Sequence, residues 1–117
     1  MNNNGYILLV DDMIWRRREI KSYLQNYGYS IILAVNGKTA LTQIARYPIK
    51  LVITDTNMPV MNGLELVKKI VRLYPEIPII GMSKRLENKD KYKIFWHKDD
   101  PMTNLLILVQ EMLTISQ

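Results

Sequence analysis

Polar residues sit where apolar runs end: Asp11 and Asp12 follow Tyr6 to Val10, Asp55 follows Leu51 to Thr54, Ser83 lies just past Ile77 to Gly81, and Lys98 just past Tyr92 to Trp96. Three carboxylates, a hydroxyl and an ammonium would meet if those runs lay side by side. Carboxylates brought that close raise one another's pKa unless a cation sits among them. Hard oxygen ligands with no His or Cys beside them favour Mg²⁺ or Mn²⁺. The chain has no cysteine and a single histidine, which excludes disulfide frameworks, thiolate metal sites, cysteine nucleophiles and multi-histidine clusters. Taken singly, Asp12 reads as a helix cap and Ser83 and Lys98 as surface residues. A cap does not account for a second Asp beside it.

The elements that must position these groups are legible in the hydropathy pattern. Five short apolar segments recur: Tyr6 to Val10, Ile31 to Val35, Leu51 to Thr54, Ile77 to Gly81 and Tyr92 to Trp96. Most are continuously apolar, as expected of strands covered on both faces in a parallel sheet. Helical spacing separates them, which is the alternation of an α/β fold. Asp12 is placed to cap a first helix with Met13, Ile20, Leu24 and Tyr27 on its inner face and Gly28 as its stop. A second helix is expected over Lys38 to Arg46, with Ala40, Leu41 and Ile44 inward. A third is expected over Leu64 to Leu73, with Val67, Ile70 and Val71 inward and Pro75 behind it. The last is expected over Met102 to Ile115, apolar over a broad arc.

At 117 residues, 48% hydrophobic and 23% charged, the chain has the length and usage of one ordinary globular domain. Its longest aliphatic runs fall far short of the ~20 residues that cross a bilayer. The polar start, Met1-Asn2-Asn3-Asn4-Gly5, lacks the basic region of a secretory leader, so the expected address is cytoplasmic. Sixteen basic residues against eleven acidic give a net charge of +5, which permits an acidic partner without requiring one.

Four segments in register carry a specific resemblance. They are Leu8-Leu9-Val10-Asp11-Asp12, the run Val52 to Gly63 containing Asp55, Ile79-Ile80-Gly81-Met82-Ser83, and Phe95-Trp96-His97-Lys98. Together they resemble the receiver domain of two-component response regulators over essentially the whole chain. The resemblance implies a five-stranded parallel sheet of order 2-1-3-4-5 in a flavodoxin-like three-layer sandwich. It also implies that Asp55 accepts a phosphoryl group from a phosphohistidine on a sensor histidine kinase or phosphotransfer protein. Asp12 and Asp55 would ligate Mg²⁺ (or Mn²⁺) directly, Asp11 through a water, and Asn57 by its backbone carbonyl. Lys98 and the Ser83 hydroxyl would bind phosphoryl oxygens, and Phe95 matches the aromatic that turns inward when Ser83 moves. Phe95 as plain core is the competing reading. Ile14 and Trp15 fall off the inner stripe of the first helix and are read as a kinase-docking pair, against partial burial under a loop. His97 reads as structural or solvated rather than as a phosphohistidine.

Three departures from the family pattern stand out. Asp99 follows Lys98 where the family has a proline in a cis peptide, and a non-proline cis bond costs ~3 kcal/mol. Lys84 follows Ser83 where a small residue is usual. The interval from Ser83 to Lys98 is shorter than usual by roughly seven residues, close to two helical turns, so the fourth crossover helix is expected to be shortened or missing. Apolar area around Leu86, Tyr92 and Trp96 is then expected to be exposed and covered by a partner or a second copy of the chain, a homodimer through the remodelled fourth-crossover and fifth-strand face. The chain is read as a single receiver over residues 1–117, with 1–5 disordered. It would have no attached output domain and no enzymatic activity beyond its own phosphorylation and dephosphorylation, and would signal to a downstream protein. The alternatives are an unphosphorylated receiver-like scaffold and, resting on Arg16-Arg17-Arg18 and Lys84-Arg85, a basic nucleic-acid-binding module. No recognition motif accompanies those clusters, so no specific nucleic-acid binding is expected.

Overall fold

A computed structural model describes residues 5–56, 58, 60–84 and 92–115. The expectations for residues 1–4, for Asn57 and for the crossover residues 85–91, Leu86 among them, lie outside the described residues. Elements run β1 (Tyr6–Val10), α1 (Ile14–Gln25), β2 (Ile31–Ala34), α2 (Gly37–Arg46), β3 (Ile49–Asp55), α3 (Gly63–Leu73), β4 (Ile79–Ser83), β5 (Phe95–His97) and α4 (Met102–Ile115). All strands are parallel and the sheet order is β2-β1-β3-β4-β5. None of the described residues between β4 and β5 is helical.

The continuous apolar runs follow from burial on both faces of the sheet. Leu9, Ile53 and Met82 point to the side covered by α1 and α4, where Ile20, Leu24, Leu105 and Val109 complete one core. Leu8, Val10 and Val52 point the other way, against Ala40 and Ile44 of α2 and Leu66 and Ile70 of α3. A shift in the β1–β3 register between Tyr6 and Ile7 explains why Ile49 and Leu51, two apart in β3, belong to opposite cores. An irregularity of this kind breaks the period-2 alternation locally.

Helix boundaries correct several expectations. Asp12 does not cap α1: the residue before the helix is Met13, in extended conformation and without a side-chain cap bond. Asp11 acts there instead, its Oδ1 accepting the Met13 N–H at 2.9 Å. Met13, Tyr27 and Val71, assigned inward from helical spacing, are each more than half exposed. Helix α3 begins at Gly63 because Asn62 and Glu65 form a reciprocal capping box, the arrangement that satisfies two orphan N–H groups at once. Gly28, with φ +91°, stops α1 as expected, in the left-handed conformation that favours glycine at a helix end.

The expected exposed patch on the fifth strand is absent among the described residues. Trp96 is only 2% exposed, packed into the α1–α4 core, with its indole N–H donating to the Pro101 carbonyl at 3.2 Å. Tyr92, only 8% exposed, packs its ring against Gly81 of β4.

Candidate functional site

In an open parallel sheet the crevice forms at the carboxyl ends of the strands, where neighbouring crossovers leave toward opposite faces. Here that point lies between β1 and β3. The pairing Val10↔Thr54 brings the residues that follow, Asp11 and Asp55, to the same level. Next in the sheet, Asp55 pairs with Met82 and Ser83 with His97. The Lys98 N–H donates to the Ser83 carbonyl at 3.0 Å, so the hydroxyl-bearing and ammonium-bearing residues are tied through their backbones.

Ligand oxygens of Asp11, Asp12 and Asp55 lie within 4.8 Å of one another. Lys98 Nζ reaches into this trio, 3.2 Å from Asp55 Oδ1 and 3.7 Å from Asp11 Oδ2. One ammonium among three carboxylates leaves negative charge in excess. Asp11 is fully buried, and its pKa is raised above the ordinary value, first by desolvation. The Met13 N–H bond and Lys98 oppose that rise, while Asp55 and Asp12 add to it. Its Oδ2 is buried without a hydrogen-bond partner among the described residues. A buried carboxylate oxygen lacking a donor, within 4.8 Å of two further carboxylates, is the donor set a hard divalent cation requires, and the residues present fit Mg²⁺.

Sequence-derived candidates therefore converge. Asp11, Asp12, Asp55 and Lys98 form one cluster, and Ser83 stands at the adjoining strand end, buried. Phe95 is half-buried in β5, one strand removed. Ile14 and Trp15 lie at the start of α1, exposed, Trp15 by 73%. Val60 is likewise exposed in the loop after Asp55 and holds φ 70°, a strained conformation for a β-branched residue. Strain of this sort concentrates beside functional sites.

His97 has a part that spacing did not disclose. Its Nδ1 accepts the Asp99 N–H at 3.1 Å, which puts the ring proton on Nε2, where it donates to the Lys84 carbonyl at 2.9 Å. The imidazole bridges the loop after Ser83 and the loop after Lys98. Where the family has proline, which offers no N–H, Asp99 supplies the donor. No peptide among the described residues is cis.

The fold and the acidic crevice at its sheet edge define a class of doubly wound α/β domain, and comparison gives the family. The response regulator receiver domain matches residues 7–98, and the chain belongs to that family. Among curated proteins it is similar to the autoinducer 1 sensor kinase/phosphatase LuxN of Vibrio campbellii, 33% identical over 82 residues, covering 70% of this chain. The chain spans only 10% of that relative's length. The chemotaxis response regulator CheY4 of Vibrio cholerae superposes with a TM-score of 0.84 at 29% identity, covering 95% of this chain and 100% of its own. The response regulator TrrA of Thermotoga maritima, in complex with Mg²⁺ and beryllofluoride, superposes at 0.88 and 29% identity, with 93% and 99% covered. No helix among the described residues is long and apolar enough to cross a membrane.

Proposed function

We propose that this chain is a cytoplasmic switch that accepts a phosphoryl group on Asp55 from a phosphohistidine of a sensor kinase or phosphotransfer protein. The observation that carries the reading is Lys98 Nζ held 3.2 Å from Asp55 Oδ1 inside a three-carboxylate cluster. A carboxylate oxygen of Asp55 attacks phosphorus, the P–N bond to the donor imidazole breaks, and its electron pair stays on the ring nitrogen. Lys98 and the Ser83 hydroxyl then hold two of the phosphoryl oxygens, matching charge that develops during transfer. Asp11, Asp12, Asp55 and the Asn57 carbonyl would hold Mg²⁺, which when bound neutralises the transferring oxygens. Reversal of the signal is hydrolysis, in which water attacks phosphorus and the Asp55 carboxylate leaves. Beyond this self-modification no enzymatic activity is assigned.

Ile14 and Trp15, exposed beside the crevice, would meet the donor's helical surface. Tyr92 and Trp96, both buried, offer no apolar surface to a second copy, and output would pass to a downstream protein. The test is intact-protein mass after incubation with Mg²⁺ and acetyl phosphate, beside an Asp55→Asn control. A phosphoryl adduct on the native chain and none on the variant is expected. An unmodified native chain under both acetyl phosphate and a phosphorylated histidine donor would favour the unphosphorylated scaffold.

A further inference from the structure

Tyr92, like Asp11, carries a buried polar atom near the crevice that makes no hydrogen bond among the described residues. In Tyr92 that atom is the hydroxyl oxygen, and an unsatisfied buried hydroxyl is costly enough to need an explanation. Two glycines give this tyrosine its place. A Cβ on Gly81 of β4 would stand 2.5 Å from the Tyr92 ring, and one on Gly63, at the start of α3, would stand 2.8 Å from the Tyr92 hydroxyl. The same Gly63 position would clash with the Asp55 carbonyl oxygen, so the phenol tip and the end of β3 share one small space. That carbonyl already accepts the Thr54 hydroxyl at 3.0 Å.

We propose that Tyr92 is a further phosphoryl-binding residue, its hydroxyl unpartnered in the resting chain and donating to a phosphoryl oxygen once Asp55 is modified. The inference rests on the phosphoacceptor reading above. Burial, and secondarily the Asp55 charge, push the phenol up to about 12, so the group is a donor throughout the physiological range. A neutral O–H donor suits an added anion and not the cation held by the carboxylates. The ring position explains how one side chain serves two ends: it packs on Gly81 and delivers its hydroxyl to the strand end where the group would be added.

The test uses Tyr92→Phe, which keeps the ring on Gly81 and removes only the oxygen. In the wild-type chain, acetyl phosphate with Mg²⁺ reports first on Asp55; absence of an adduct there defeats the phosphoacceptor reading itself. With that adduct present, beryllofluoride affinity in Mg²⁺ is compared between the two chains by titrating intrinsic fluorescence. A loss of about tenfold is expected, the scale of one hydrogen bond to a charged group. The phosphorylated lifetime should change with it, while the melting midpoint of the unmodified variant should be equal or higher, because no bond is lost in that state. Equal beryllofluoride affinity and equal lifetime would overturn the proposal, as would a lower melting midpoint with unchanged affinity, which would give the hydroxyl a partner in the resting state.

Discussion

The centre of the sheet and its β5 edge are built on different terms. Strand β3 runs seven residues, is paired on both sides and is buried at every position except Lys50. Strand β5 has three residues, one neighbour and a single buried side chain. Asp11 and Asp55 hang from central strands and hold the negative charge in fixed positions. Lys98 hangs from the short edge strand, steadied by Trp96 in the core, by the His97 bridge and by the backbone bond to Ser83. Local stability falls where buried apolar contacts and ladder bonds are fewer. The groups that would answer a change in charge thus stand on the part of the sheet that moves at lower cost.

The contrast can be broken most directly at the centre. Leu51→Ala should cost about 2–5 kcal/mol in chemical denaturation, the range for emptying a buried leucine site, and a cost below about 1 kcal/mol would deny β3 its central place. At the edge the expected effect is chemical and not structural. Lys98→Met should slow acetyl phosphate-driven modification of Asp55 by roughly 100-fold, as loss of a charge-stabilising donor does, with the circular dichroism spectrum unchanged. An unaltered rate would remove Lys98 from the site.

Asp11 sharpens the comparison through pH. Its pKa in the folded chain is raised, with burial as the main cause, so the native state binds its proton more tightly than the unfolded state. Below the unfolded value of 3.8 the carboxyl is protonated in both states and costs nothing. As pH rises through the raised folded value the penalty develops, and at neutral pH it is fully present. In EDTA, Asp11→Asn should therefore melt a few degrees above wild type at pH 7, with the gap closing as pH approaches 3.8. Mg²⁺ should stabilise wild type and have little effect on the variant. A variant that melts lower at pH 7 would mean the Lys98 contact outweighs desolvation.

The smallest structural effect belongs to Trp15. Trp15→Ala should leave stability within about 0.5 kcal/mol, as for an exposed residue, while slowing transfer from a cognate phosphohistidine donor. Equal transfer rates would free this end of α1 from any docking part.

Residue types and their position in the chain determined much of this. The apolar runs and their polar ends name five strands and place Asp11, Asp12, Asp55, Ser83 and Lys98 at one edge, because a strand buried on both faces leaves its chemistry only at its ends. Helix faces and ends read less well: Met13 and Tyr27 share the spacing of inward residues but fall just outside α1, and Val71 of α3 faces solvent. The cap of α1 was misassigned for a related reason. Asp11 and Asp12 are equivalent in sequence, and only the fold decides which of the two turns inward to take the Met13 N–H and which faces solvent. Tyr92 read as an exposed apolar residue beside a missing helix; that Gly81 and Gly63, eighteen residues apart, open a space for it is a contact between distant segments, which local pattern does not record. The same holds for His97, whose two partners, Lys84 and Asp99, lie thirteen residues back and two ahead. Periodicity and residue type thus placed the candidate groups at the strand ends, because that depends on local order along the chain, and the packed sheet decided what stands beside them, because that depends on which segments are brought together.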